Sequence, residues 1–435
     1  MALGGGLFLT QNKTLPGHYM NFVSKARASA NIKDRGFVGL PMCLNWGVDE
    51  AVFTVENAEF QKDSMKIFGY SYDADEMKNM RELFLNAQTV NFYRLNSGVK
   101  ASNTYGTAKY SGTRGNDIKI VIQTNVDEPT KFDVITYLGT VKVDAQLVTT
   151  ASELKDNDYV VFKKDATLEA TAGIAMTGGI NKADITGADH QTALAKLEAY
   201  SHNVLICTAV DETIMKLYAV YVERLRDEVG VKLQTVVHHL AGDYPGVINV
   251  KNTVSDEGAA KNALVYWVGG AEAACAINKT LSNQTYDGEY TIEAEYTQTE
   301  LEKAVLAGEF VFHKVGSEIR VLEDINSFVS FTEEMNKSFS KNQVIRVLDQ
   351  YGNDIAAMFN DKYNGNMQND EDGRISFWGD LDEYNKKMQK LRAVQNYNPE
   401  ELSVEAGEEA DSVVVHNTVQ PTMAMAKCYM TVYVN

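Results

Sequence analysis

Cysteine, proline and histidine are scarce in this chain, basic charge is outnumbered, and no long apolar run occurs. Each shortage excludes something. With 6 prolines and an ordinary 31 glycines, no long disordered or collagen-like segment is expected. The four cysteines, Cys43, Cys207, Cys275 and Cys428, include no C-x-x-C pair. Each has apolar neighbours, so reduced, buried thiols folded in a reducing compartment are expected. No stretch approaches the ~18 apolar residues of a membrane span. The start "MALGGGLFLTQNK" has no basic region and too short an apolar run for a signal peptide, so neither export by that route nor membrane insertion is expected. Lys+Arg number 41 against 59 Asp+Glu, a net charge of −18, which argues against nucleic-acid binding through the overall field. A local basic patch for an acidic protein partner stays open.

Catalytic patterns are missing as well. There is no G-x-S-x-G elbow. The seven histidines, at 18, 190, 202, 238, 239, 313 and 416, show no metal-ligand spacing. If His238 and His239 lie in a strand, their rings point to opposite faces. "QNDEDGRISFWG" (368–379) resembles a calcium loop, but Gly379 stands where the bidentate Glu belongs, so a solvated acidic turn is expected. "GTRGND" (112–117) and "MTGGIN" (176–181) match neither the P-loop nor the dinucleotide fingerprint and read as turns at domain junctions. No catalytic, cofactor-binding or metal residue is assigned, and no cofactor is expected.

The chain does carry a clear organisation. Residues 1–30 read as an arm: Gly4, Gly5 and Gly6 cannot anchor a core, and a short strand with Tyr19 and Phe22 follows the Pro16-Gly17 turn. Residues 31–96 contain strand-like stretches at 35–47, 51–60 and 89–95. A helix over 73–87 has Asp73 or Asp75 as its cap and Met77, Met80, Leu83 and Phe84 on one face. Residues 97–175 alternate with turns between and predict an inserted all-β sandwich. In 176–327 strands and helices alternate, and Ile214, Leu217, Tyr218, Tyr221, Val222 and Leu225 form a helical stripe. Together with 31–96 this predicts an α/β domain. Residues 328–412 read as helices at 331–360 and 378–396 followed by an acidic linker, "YNPEELSVEAGEEADS" (397–412); strands end the chain over 413–435.

Two features of the C-terminal part bear on function. "MAMAKCYMTVYVN" (423–435) alternates, with Ala424, Ala426, Cys428, Met430, Val432 and Val434 on one face, and reads as a strand. It pairs either within its own domain or with a neighbouring subunit's sheet. The acidic linker, able to reach ~50 Å, and the glycine-rich arm at the other end favour the second. Helix 378–396 carries Lys386, Lys387 and Lys390, with Asp380, Asp382 and Glu383 in its first turn. Either the charges complement the helix dipole, or a basic face docks an acidic partner.

The phrases "GGGLFLTQNKTLPGHYMNFVSKARASANIKDRGFVGLPMCLNWG", "AKYSGTRGNDIKIVI" and "CYMTVYVN" resemble contractile tail sheath proteins of myophages and of phage-tail-like particles of Gram-positive bacteria. The resemblance spans essentially the whole chain. It implies an α/β multidomain fold: a subtilisin-like, non-proteolytic α/β domain with an inserted all-β sandwich domain, and an α+β C-terminal domain with extended N- and C-terminal arms. It implies a homo-oligomer of hexameric rings in a helical sheath, assembled in the host cytoplasm as part of a virion or particle tail. The implied partners are the tail tube, baseplate and tail terminator proteins, with no nucleic acid and no membrane insertion. Arms of neighbours interlock with a strand of a third subunit, which here implicates 424–434 with Tyr19 and Phe22. A helix facing the tube implicates Lys386, Lys387 and Lys390. The other readings are a baseplate or other non-catalytic phage structural protein, and an α/β hydrolase with a β-type binding domain.

Overall fold

The computed structural model describes residues 34–434. They fall into two compact units: 34–353 with 391–395 and 420–434, and 354–390 with 396–419.

The first unit opens with β1 (Phe37–Met42), β2 (Val52–Glu56), α1 (Asn57–Phe68), α2 (Lys78–Phe84) and β3 (Thr89–Arg94). An excursion follows through β4 (Gly106–Ala108), β5 (Ile118–Thr124), β6 (Phe132–Leu138), β7 (Val141–Val148), β8 (Val160–Phe162) and β9 (Thr171–Ala175). The chain returns as α3 (Gly187–Leu197), β10 (Val204–Ile206), α4 (Glu212–Arg224), β11 (Gln234–His238), β12 (Val247–Val250), α5 (Leu264–Ala274), α6 (Gln298–Leu306) and β13 (Glu309–Phe310). Then come the hairpin β14 (Phe312–Val315) and β15 (Glu318–Val321), and α7 (Asn342–Met358).

Seven strands share one sheet in the order β13-β12-β11-β10-β1-β3-β2. All neighbours are parallel except β2 and β3. Parallel strands covered by helices on both sides become apolar throughout, and β10, β11 and β12 are buried at every position. Successive residues still serve different layers. Val204, Ile206, Val236, Ile248 and Val250 pack with α2 and α5, whereas Leu205, Cys207, Val237 and Val247 pack with α3 and α4. Helices α5 and α2 come close at Gly270 of α5, where a Cβ would stand 2.4 Å from the Leu83 carbonyl oxygen of α2. Only glycine fits there.

The excursion is antiparallel, in the order β7-β6-β5-β9, with β4 paired to β8. Ile118, Ile120, Ile122, Val134 and Leu138 form its own core with Val148 and Phe162. Its two connecting strands are zipped together: Val99 N donates to Ile180 O at 2.8 Å, and Lys182 N to Asn96 O at 3.1 Å.

An ionic cluster is buried in the same unit. Arg346 of α7 donates to Glu272 of α5 at 2.5 Å and to Asp324 at 3.2 Å, and all three side chains are at most 1% exposed. Burial, and then the charge of Asp324, pushes the Glu272 carboxyl well up. Burial is the largest influence on Asp324 and would raise it, but the charge of Arg346 together with hydrogen bonds from Glu272, the Leu281 amide and Asn342 outweighs it and holds that carboxyl below its usual range. Nearby, Arg226 grips Asp349 through two bonds of 2.6 and 2.7 Å.

In the second unit α8 (Glu371–Lys390) packs Phe377 against Phe359 and Tyr363. The first unit meanwhile takes in β16 (Val394–Gln395). Beyond it the second unit forms the hairpin of β17 (Ser403–Ala406) and β18 (Val413–His416). Trp378 Nε1 donates to Leu402 O at 2.9 Å, and the Asn369 amide donates to Ala410 O and Ser412 O.

Several sequence expectations are corrected. The helix expected at 378–396 runs over 371–390, because Asp370 accepts from Gly373 N at 2.9 Å and starts it seven residues earlier. "QNDEDG" is therefore that helix's beginning. The helix expected from 331 begins at Asn342. The acidic linker is not extended chain, since its middle is β17 and its reach is spent in a hairpin. Asp73 and Asp75 cap nothing; the turn there has no side-chain cap. The His238 and His239 rings stack in parallel with centroids 4.0 Å apart, because His239 lies past the end of β11 with a φ of 60°. Of the cysteines only Cys207 is buried; Cys43 and Cys428 are exposed, and none is in a disulfide among the described residues.

Candidate functional site

The C-terminal segment is the most unusual surface of the described chain. It is rooted in the first unit by β19 (Gln420–Pro421), which pairs antiparallel with β16. Thr422 N donates to Ala393 O at 2.8 Å, and Ala424 N donates to Gln343 Oε1 at 3.0 Å. Beyond that point, among the described residues, no hydrogen bond ties 425–434 to the chain, and no strand is formed over 422–434. The alternation read from sequence is present, yet neither face is covered. Met425, Tyr429 and Tyr433 are 103%, 90% and 89% exposed, and Met430, Val432 and Val434 are 79%, 68% and 90% exposed. Ala424, Ala426 and Cys428 are exposed as well. A β-prone apolar segment with an open backbone is a strand without a sheet. Tyr19 and Phe22 lie outside the described residues.

A sheet without enough strands exists in the other unit. β17 and β18 form a two-stranded ladder pairing Ser403 with His416 and Ala406 with Val413. Val414 and Val415 are 43% and 38% exposed. A two-stranded hairpin is marginal by itself and offers unpaired edges.

The three lysines lie on the C-terminal half of α8. Because the helix starts at 371, Asp382 and Glu383 are in its middle and do not complement the dipole at its start. They pair one turn on instead: Asp382 with Lys386 at 2.7 Å and Glu383 with Lys387 at 2.8 Å. Lys390 is exposed. The helix face is therefore charge-paired, with Lys390 its outermost cation.

Several of the described histidines are held by the fold. His190 Nδ1 bonds the buried Tyr218 hydroxyl at 2.9 Å. His238 Nε2 faces Asn252 O at 3.1 Å, and burial, with His239 beside it, takes its pKa down to about 4. Among the described residues no group of three or more His, Cys, Asp or Glu could hold a metal ion, and no helix is long and apolar enough to cross a membrane. Sequence reasoning missed Gln343, Ala393 and Thr422 at the root of the segment. The contact between Gln343 and Ala424 spans 81 positions, and no local signal could have shown it.

Three domain profiles match the chain. The phage tail sheath protein beta-sandwich domain covers residues 96–181, the phage tail sheath protein central domain 183–327, and the phage tail sheath C-terminal domain 334–435. The phage-like element PBSX protein XkdK of Bacillus subtilis is 33% identical over 100% of both chains. The crystal structure of a sheath tail protein from Desulfitobacterium hafniense superposes with a TM-score of 0.82 at 33% identity, covering 95% of this chain and 99% of that one. A sheath tail protein from Listeria innocua gives a TM-score of 0.79 at 30% identity, with coverages of 90% and 93%. The fold is thus the mixed α/β multidomain architecture of these proteins, and the chain belongs to the phage tail sheath protein family.

Proposed function

We propose that this chain is the non-catalytic structural subunit of a contractile tail sheath. Subunits polymerise as stacked hexameric rings around a tail tube, and the lattice contracts to drive the tube through a target envelope. The observation that carries this reading is the exposed apolar segment 425–434, which has no strand partner among the described residues. In a neighbour it gains one, at a free edge of the β17–β18 hairpin. Ten residues span roughly 35 Å when extended, enough to follow such an edge along its whole length. Each backbone hydrogen bond made contributes ~0.5–1.5 kcal/mol net. A covalent root and a borrowed strand keep copies joined while their globular parts slide, as a non-closing, head-to-tail lattice requires.

Electron microscopy of the purified chain tests this directly. Helical tubes are the expected result. Discrete discs would point to a baseplate role, and a lasting monomer would remove the assembly reading.

Release from the tube demands a weak contact, and surface lysines, two of them already paired to carboxylates on their own helix, provide one. We assign Lys386, Lys387 and Lys390 to that contact, within a subtilisin-like and tube-facing arrangement of domains. Lys386→Glu combined with Lys390→Glu places like charges beside Asp382 and Glu383 on a surface proposed to meet acidic groups. The expected outcome is sheath assembled without tube, or contracted early, in micrographs of co-expressed sheath and tube. Extended tails of normal appearance would withdraw the tube assignment.

A further inference from the structure

The exposed segment is aimed before it is released. Its last tie is the Gln343 carboxamide, which accepts from Ala424 N. Gln343 is 6% exposed in the first turn of α7, and that turn is held from three sides. Asn342 Nδ2 donates to Glu272 of α5 at 3.0 Å, Asn342 Oδ1 accepts from Gln234 of β11 at 3.1 Å, and Asn342 N donates to Asp324 O at 3.1 Å. On the other flank, Asn278 Nδ2 donates to Leu391 O at 2.9 Å and steadies the short stretch that pairs with β19. The Thr422 hydroxyl is buried with no partner among the described residues, so beyond the Thr422 amide's bond to Ala393 O the Gln343 carboxamide is the hydrogen bond that fixes the turn-out of the chain.

We propose that Gln343 is a positioning residue for the outgoing segment: it sets the direction in which residues 425–434 leave their own subunit. This rests on the strand-exchange reading above. Without that bond the last fixed point retreats from Ala424 to Thr422. Two more residues then swing, and their freedom must be given up each time a strand docks. A preset direction lowers that cost and biases the segment towards one neighbour. It also delivers pull on the segment to α7 and the central sheet, and not to the two-residue ladder of β16 and β19 alone.

The test uses Gln343→Met, which keeps the volume and removes the acceptor. Gln343→Asn, which withdraws the carboxamide by one methylene, serves if the first variant does not fold. Two readouts separate aiming from folding. Spin labels on Cys43 and Cys428, both exposed, in a Cys275→Ser background report the segment's spread in the monomer below the assembly threshold. The variant is expected to broaden that distance distribution. It should also raise the critical concentration for polymerisation about tenfold, the worth of one hydrogen bond, with an unfolding midpoint within about 2 °C of the parent. An unchanged distribution, or a midpoint that falls in step with assembly, overturns the proposal. A chain lacking 424–435 distinguishes the two levels. If it polymerises, strand exchange itself fails; if it does not while Gln343→Met assembles normally, only the aiming role fails.

Discussion

Deleting residues 424–435 is expected to yield a chain that folds as before and does not polymerise. The folded unit loses little with it. Every described residue from 423 onwards is exposed, and among the described residues the hydrogen bond lost is that of Ala424 with Gln343. Such a loss moves the unfolding midpoint of a chain this long by no more than about 2 °C. The lattice, by contrast, loses the whole backbone ladder that a borrowed strand supplies. Calorimetry and negative-stain microscopy on the same preparation decide the matter. Filaments of ordinary length from the truncated chain would show that globular contacts suffice. A large drop in midpoint would show that the segment serves its own subunit.

The second large effect concerns the interior. Arg346→Met should destabilise the chain by about 3–5 kcal/mol in urea titrations, because it leaves the Glu272 and Asp324 carboxyls buried without their cation. The pH dependence gives a sharper signature. Asp324 sits below its unfolded value, so its contribution is present above that value and is lost as pH falls through the folded one. Glu272 sits above its unfolded value of about 4.3, and its contribution is full below that point and lost as pH rises through the folded pKa. Glu272→Gln should therefore flatten the alkaline-side decline, whereas Asp324→Asn should remove the acid-side one. Unfolding curves at several pH values check both signs. Parallel profiles for the two variants would refute this division of roles.

What the sequence disclosed follows physical lines. "NVLICTA" and "GVINVKN" were readable as strands because burial on both faces leaves a continuous apolar run. The stripe through Tyr218, Tyr221, Val222 and Leu225 was readable because one face of α4 meets the core. The β14–β15 hairpin was readable from Gly316, whose φ is 62°. Helix α1 was missed. Phe60 and Phe68 share its buried face, but Lys62 and Asp63 interrupt the pattern, and Asp63 itself departs from helical geometry. The acidic run at 405–411 hid a hairpin, since charge says nothing of the Asn369 bonds that close it. The alternating end of the chain was legible as strand-forming, and its openness was not: whether a strand has a partner is a property of the rest of the fold. The lysines were legible as a cluster at i,i+4 spacing from Asp382 and Glu383; that these acids stand mid-helix and not at the dipole's positive end appeared only when the true helix start was known.

The neck between the central sheet and the antiparallel excursion has a further consequence. Its outgoing and returning strands bond to each other at Val99 with Ile180 and at Asn96 with Lys182. Whatever lies beyond them, the two ends stay one strand spacing apart. The excursion therefore enters and leaves the sheet domain at a single place. It is not freely detachable, because Trp46 and Met65 of that domain pack into its core, so any module grafted there must cover those two side chains.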